Sequence, residues 1–190
     1  MVAKVHTVAL TGFEGALVEV ETDSKQGLPA IVIVGMGSRA IDEARERVRS
    51  AIRNSLLTFP PQKITVNLAP AELPKEGAHF DLPIALSVLI ASGQLKQTEV
   101  NHAVFAGELA LDGTLRPIRG ALSIAKAAKE KGFEDFMIHD DRFVSLSLST
   151  KHWVNKHKFE MHVMGIIPSQ PLAPEPFLST YFPEVYQIFK

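Results

Sequence analysis

The sequence predicts an α/β fold, a two-layer sandwich of helices packed on a mixed sheet, and two patterns indicate it. The first is a pair of β-rich runs at residues 5–11 and 16–23, whose connection is bounded by Gly12 and Gly15 and is typical of a hairpin. The second is the alternation of helical and extended patterns that follows. Because hairpins form antiparallel pairs and intervening helices favour parallel ones, the order predicts a mixed sheet.

Length and composition narrow the classes of protein that the chain can represent. With 190 residues, 46% of them hydrophobic, it can bury one sizeable core. A formal charge of −1 excludes a globally basic surface, so contact with nucleic acid would need a local patch. The absence of cysteine excludes disulfides and thiolate metal sites and favours a cytoplasmic location. No run approaches the roughly 18 apolar residues that span a bilayer, so we expect no membrane partner.

The next part of the chain alternates strand and helix signals. Residues 30–34 form a continuous apolar run, which predicts a strand buried on both faces. A helix is predicted from Arg39 to about Asn54, with Ser38 as N-cap, and residues 64–68 predict the following strand. The helical prediction depends on apolar residues spaced by three and four: Ile41, Ala44, Val48 and Ala51.

A second helix is predicted after residue 80. Asp81 is the expected N-cap, Pro83 suits the first turn, and Gly93 is placed to end the helix. Residues 84–91 are apolar almost throughout, which predicts a central, buried helix.

The last predicted elements lie between residues 104 and 138. Residues 104–106 and 114–118 read as strands around an Asp112-Gly113 turn, a strong hairpin signal. Residues 121–131 predict a helix that ends at Gly132, and residues 136–138 predict a short final strand.

The C-terminal segment has a different composition. Five of the twelve prolines fall in residues 165–190, interleaved with aromatic residues, so regular structure is not expected there. We therefore divide the chain into a domain at residues 1–164 and a Pro/aromatic-rich tail or linker at 165–190. Two interpretations of the tail stay open: a strap that packs on the domain, or a docking segment for a partner.

Two other patterns suggest binding surfaces. Arg45, Arg49 and Arg53 recur every four residues on the first predicted helix, a stripe that suits either a surface or subunit contact or a DNA backbone. Glu43 and Arg47 on the same helix predict an ion pair. Histidines at 152, 157 and 162 do not converge on one face of a helix or strand, so no metal site is predicted.

Two longer blocks carry the most specific signature. They span residues 64–77 (ITVNLAPAELPKEG) and 106–120 (AGELALDGTLRPIRG), and they resemble the blocks that hold the nucleophile and its lysine in Lon-type Ser/Lys proteases. By that resemblance, the serine and lysine positions are occupied by His79 and Leu122. A Ser/Lys dyad needs a hydroxyl and a desolvated amine within hydrogen-bond reach. No serine or threonine lies between Pro74 and Pro83, so this protease-like domain is predicted to lack the catalytic Ser/Lys dyad.

The residues around the missing serine invite one other interpretation. His79 with Asp81 or Glu76 has the composition of an acid–base group, but no nucleophile accompanies it. We expect instead that His79 and Asp81 organise the helix start and that Lys75 and Glu76 are exposed on the loop beside Gly77.

These blocks, together with residues 27–30 (GLPA) and 43–49 (EARERVR), resemble the N-terminal, ChlI-type domain of the ComM/YifB family of magnesium-chelatase-like AAA+ ATPases. The resemblance implies the fold shared by Lon-type proteases and the second domain of a small-subunit ribosomal protein. It also implies hexameric ring ATPases that act in DNA branch migration and natural transformation.

The chain departs from full-length family members in one important respect. It contains no GxxxxGK[ST], so it lacks the loop that cradles nucleotide phosphates and the hydroxyl that binds magnesium. We expect no cofactor in this chain, because ATP and Mg²⁺ belong to the AAA+ module.

The sequence therefore predicts a non-catalytic accessory domain. Its expected partners are an AAA+ module in cis or in trans, further copies of the chain, and DNA through the arginine stripe. A divergent Lon-like serine hydrolase is the alternative.

Overall fold

The computed structural model describes residues 2–35, 38–133 and 135–138, and for 136–138 the backbone alone. The predicted tail, the boundary at residue 164 and the three histidines at 152, 157 and 162 lie outside these ranges. The elements are β1 (Ala3–Thr11), β2 (Glu14–Lys25), β3 (Ala30–Val34), α1 (Arg39–Asn54), β4 (Lys63–Ala69), α2 (Asp81–Ala91), β5 (Ala103–Ala106), β6 (Glu108–Leu109), β7 (Leu115–Arg116), α3 (Ala121–Glu130) and β8 (Asp135–Ile138). Short 3-10 turns occupy Ala78–Phe80 and Gln97–Glu99.

A six-stranded mixed sheet forms the centre of the domain, in the order β3-β4-β2-β1-β5-β8. β2 pairs antiparallel with β1 and with β4, whereas the β3–β4, β1–β5 and β5–β8 pairs are parallel. The predicted mixed sheet is confirmed. The predicted opening hairpin is present as β1 and β2, which pair from Ala3↔Thr22 to Thr11↔Glu14.

Helices cover both faces of this sheet. Alternation along β1 places Val5 and Ala9 in the core beneath α1 and α2, and Val8 in a second cluster beneath α3. Gly15 in β2 lets α3 approach, because a Cβ there would lie 2.6 Å from the Cβ of Ala127. The α/β sandwich is thus confirmed, and α3 adds helical cover on the opposite face.

Helix α2 is the central helix, as its apolar sequence predicts. Every residue from Asp81 to Ile90 is buried, and the helix packs on β1, β2 and β5. Its one buried hydroxyl is satisfied, since Thr22 on β2 donates to Ser87 Oγ at 2.7 Å and Ser87 donates to the Ile84 carbonyl. Buried hydroxyls with partners in this way cost little to desolvate.

The predicted hairpin around Asp112 is present, but with different strands. β6 and β7 form it, while β5 joins the main sheet between β1 and β8. Asp112 Oδ1 accepts from the backbone and side chain of Thr114, and Gly113 has a φ of 91°. The turn signal was therefore right, and the pairing of residues 104–106 with 114–118 was wrong because the buried run prefers the sheet interior.

β3 also differs from its prediction. It was expected to be buried on both faces, yet it is the terminal strand of the sheet, and Val32 and Val34 are 38% and 45% exposed. Their outward face lies opposite α1, and none of the described helices packs on it. Among the residues that the structure describes, no helix has the length and hydrophobicity needed to cross a membrane.

Helix α1 ends in a left-handed residue that is not glycine. Leu56 has a φ of 62°, and its N–H and that of Leu57 donate to the carbonyls of Arg53 and Ile52, which is a Schellman arrangement. The Leu56 side chain is 97% exposed, so it gains no burial in return for this conformation.

We expect Leu56→Gly to raise the free energy of unfolding by about 0.5–1 kcal/mol. The left-handed conformation costs a leucine about 1–2 kcal/mol, and glycine removes this cost. The greater conformational entropy of glycine in the unfolded state cancels only part of the stability that is gained. Urea denaturation followed by circular dichroism measures the change. Leu122→Gly, an exposed leucine inside α3, is the matched control and should lose stability; a loss for Leu56→Gly as well would contradict the argument.

Candidate functional site

The loop from Pro70 to Phe80 joins β4 to α2 and carries the residues that correspond to a protease nucleophile. Lys75 was predicted to be exposed, but its side chain is fully buried and its Nζ donates to the Pro70 carbonyl. Burial lowers the pKa of the Lys75 ammonium. Glu76 is exposed as expected, and Gly77 beside it is exposed as well. The prediction for Lys75 was wrong because its flexible aliphatic side chain can be buried while the Pro70 carbonyl accepts a hydrogen bond from the amine.

Ser38 is joined to this lysine through the backbone. Its N–H donates to the Lys75 carbonyl at 3.0 Å. Its Oγ is buried and has no hydrogen-bond partner within the described ranges, while the amine is bonded to Pro70. The two side chains therefore do not form a hydrogen-bonded Ser–Lys pair. Ser38 is the N-cap residue of α1 as predicted, but its side chain makes no capping bond.

His79, which the resemblance places at the position of the protease serine, is part of the core. The residue is 6% exposed, its Nε2 donates to the Val8 carbonyl at 3.0 Å, and its ring lies 4.3 Å from that of Phe80. Burial lowers the pKa of the imidazole, with the bond to Val8 acting against it, so the ring is neutral at pH 7. The His79 carbonyl accepts from Gly107, which joins this loop to the second sequence block.

Leu122, which the resemblance places at the position of the protease lysine, lies on α3 and is 50% exposed. A leucine has neither a donor nor an acceptor in its side chain. His79 is therefore buried and hydrogen-bonded to β1, whereas Leu122 is an apolar residue on the surface. The structure assembles no polar pair from them.

Asp81 makes the most extensive polar contacts in this region. It was predicted to cap α2, but it is the first residue of the helix and makes no capping bond. Its fully buried carboxylate instead accepts from Arg47 Nε at 2.6 Å and Nη2 at 3.0 Å, and from the Leu109 N–H at 3.2 Å. The capping prediction was wrong because a bidentate guanidinium outcompetes a local amide for the carboxylate.

Arg47 is the residue that the sequence analysis missed in this role. Its predicted pair with Glu43 is present at 3.7 Å, but the shorter contacts are those to Asp81, and Nη2 also donates to the Ala40 carbonyl. Its position in the sequence could have indicated this role. Arg47 lies three residues after Ala44 and four before Ala51, at the border of the buried face of α1.

The arginine stripe is only partly available to a ligand. Arg45 and Arg53 are exposed, and Arg45 Nε donates to the Asp42 carbonyl at 3.1 Å. Arg49 is half-buried, with its guanidinium carbon 5.2 Å from the centre of the Phe59 ring. The middle of the stripe therefore packs on the domain, while both ends face solvent.

No metal site emerges from the described part of the chain. Its histidine and acidic side chains do not gather in groups of three or more that would hold an ion.

Asp81 predicts an unusual pH dependence of stability. Burial raises the pKa of its carboxyl to about 6, against the opposing effect of Arg47, from an ordinary value of 3.8. A folded-state pKa above the unfolded value means that the folded protein holds the proton more tightly. The stabilisation from this group is therefore complete below about pH 4 and is lost as the pH rises through 6. Its size is about 3 kcal/mol.

We expect the free energy of unfolding of the wild-type protein, minus that of Asp81→Asn, to fall between pH 4 and pH 6.5 in urea titrations. Glu21 and Asp112, whose pKa values are lowered, contribute with the opposite sign but equally in both proteins. Glu43→Gln, which removes the exposed partner of Arg47, is the control variant for the same titrations. A difference for Asp81→Asn that rises with pH would show that Arg47 controls the carboxylate.

Comparison with known proteins identifies the family. A family model described as subunit ChlI of Mg-chelatase matches residues 20–141. YifB of Escherichia coli K12 is 45% identical over 137 residues, which cover 72% of this chain and 27% of that protein. YifB of Salmonella typhimurium is 48% identical over 130 residues, which cover 68% and 26%. The competence protein ComM of Haemophilus influenzae is 43% identical over 128 residues, which cover 67% and 25%.

The match thus spans about a quarter of the length of these relatives. Since the family model covers more than half of the chain, the chain belongs to the ChlI family of Mg-chelatase-like proteins, in the group that includes YifB and ComM.

Proposed function

We propose that this chain is a non-catalytic accessory domain that works with an AAA+ ATPase module, supplied in cis or in trans. The observation that carries the proposal is the state of His79. At the position where Lon-type proteases hold their nucleophile, the chain has a buried imidazole whose Nε2 is bonded to the Val8 carbonyl. A group engaged in this way cannot attack a substrate, so the position contributes to the core.

The lysine positions support the same proposal. Leu122 has no proton to exchange, and the buried Lys75 amine donates to Pro70. General-base catalysis needs the amine within hydrogen-bond reach of the nucleophile. Without such a contact, the protease-like fold is suited to assembly and not to hydrolysis. We therefore include further copies of the chain among its partners, in a hexamer by resemblance to full-length family members.

ATP and Mg²⁺ are assigned in this proposal to the AAA+ module, because the chain has no GxxxxGK[ST]. The name of the relative ComM links that protein to competence. We extend this to a proposed role of the present chain in DNA processing during natural transformation, with branch migration as the activity of the complete ATPase and the cytoplasm as its location.

The DNA contact in this proposal belongs to Arg45 and Arg53, the exposed ends of the stripe on α1. Guanidinium groups suit phosphates because their donors are planar and fixed. Asp42 and Glu46 share the N-terminal half of the helix, so Arg53 faces less competition from acidic neighbours than Arg45. Binding is expected to be weak and dependent on salt.

The alternative, a divergent Lon-like serine hydrolase, is tested by a fluorophosphonate probe and a fluorogenic peptide. We expect neither labelling nor hydrolysis above the rate without protein. Ser38→Ala is the matched control, because Ser38 is the buried hydroxyl tied to the Lys75 backbone. Labelling of the wild-type protein that disappears in Ser38→Ala would establish a nucleophile and overturn the proposal.

The DNA contact is tested by fluorescence anisotropy with a labelled duplex between 50 and 200 mM salt, about the range over which counterion release is readily measured. Arg53→Ala should weaken binding across all sequences and reduce the slope of log affinity against log salt by about 1. Arg45→Ala should act in the same direction. Lys126→Ala, an exposed cation on α3, is the control and should leave the slope unchanged. Equal effects of Arg53→Ala and Lys126→Ala would remove the stripe from the proposal.

A further inference from the structure

Strand β3 (Ala30–Val34) is an edge of the sheet. β4 pairs along one of its sides in parallel register from Ala30↔Lys63 to Val34↔Asn67. On the other side, no strand of the described residues adjoins it. The backbone groups on that side can pair with another extended segment, which is the basis of strand addition between chains.

This edge lacks the features by which proteins usually prevent such pairing. Edges are commonly protected by charged side chains, by proline within the strand or by bulges. Residues 26–35 carry no charged side chain, and the register of β3 with β4 is continuous over all five residues. Three apolar side chains are instead exposed: Leu28 at 88%, Val32 at 38% and Val34 at 45%.

We propose that β3 is a self-association site, at which it pairs antiparallel with β3 of a second copy about a two-fold axis at Val32. In this register Val32 lies opposite the Val32 of the other copy, and Ala30 lies opposite Val34. Each cross-strand pair is apolar, and apolar β-branched pairs stabilise a sheet. The two sheets would then continue into one of twelve strands.

A second copy fits this edge better than a partner of different chemistry. An uncharged strand has no side chain that would form an ion pair with a charged partner. Two copies of it can pair without like-charge repulsion. The net charge of −1 adds little long-range repulsion between copies. Five residues in each chain make a small interface, so the dimer should be weak.

Cysteine crosslinking tests the register, because the chain contains no cysteine of its own. In the proposed dimer the two Cα atoms of residue 32 are about 4.5–5.5 Å apart, within the range that a disulfide spans. Val32→Cys should therefore oxidise to a covalent dimer. The two Cα atoms of residue 34 are roughly 14 Å apart, so Val34→Cys should oxidise much more slowly. Phe13→Cys, at the exposed β1–β2 turn, controls for random collision.

Sedimentation velocity over a series of concentrations tests the association itself. The wild-type chain should gain mass with concentration, and Val32→Lys should weaken dimerisation about tenfold or more, since two ammonium groups would face each other. Phe13→Lys makes the same apolar-to-lysine exchange away from the edge and should dimerise like the wild type.

Three results would overturn the proposal. One is a wild-type chain that stays monomeric at every concentration, as it would if another segment of the same chain occupied the edge. The second is dimerisation of Val32→Lys with wild-type affinity. The third is equal oxidation of the cysteine variants at residues 13, 32 and 34. This crosslinking test does not depend on whether Val32→Lys folds.

Discussion

The buried ion pair between Arg47 and Asp81 fixes the geometry on which the rest of the domain depends. It joins the middle of α1 to the first residue of α2, and the same carboxylate accepts the Leu109 N–H of β6. These hydrogen bonds offset the desolvation of the carboxylate only in part, since burial still raises the pKa of Asp81. Arg47 also donates to the Ala40 carbonyl within α1, so α1, α2 and β6 are joined through one carboxylate and its guanidinium partner.

The position of the ion pair decides what the neighbouring loop can do. Because Asp81 holds the start of α2, the preceding 3-10 turn places His79 under β1, where the Val8 carbonyl accepts a hydrogen bond from Nε2. Lys75 is buried on the same loop and bonds its own backbone. Polar groups that a hydrolase would aim at a substrate are here hydrogen-bonded inside the protein, which is the physical basis for proposing a scaffold.

Much of the fold follows from the sequence because its signals are local. Helix α1 has the predicted bounds, since the spacing from Ile41 to Ala51 specifies one buried face. The Asp112-Gly113 turn is also where its residues predict, because Gly113 supplies the positive φ. Partners that lie far apart in sequence were not predicted: the apolar run of β3 does not reveal that only one side of it is paired. The candidate site was less predictable than the fold, because the burial of Lys75 and the partner of Asp81 depend on tertiary contacts.

The place of β1 in the sheet has a consequence for how the chain folds. β1 is interior, with β2 on one side and β5 on the other, and it meets β5 where His6 pairs with Val104. Such long-range closure gives a high contact order, which slows folding. During synthesis, β1 emerges before β5 and keeps one side open until residues 103–106 are made. The nascent chain is therefore exposed to mispairing at β1 while residues 12–102 are translated.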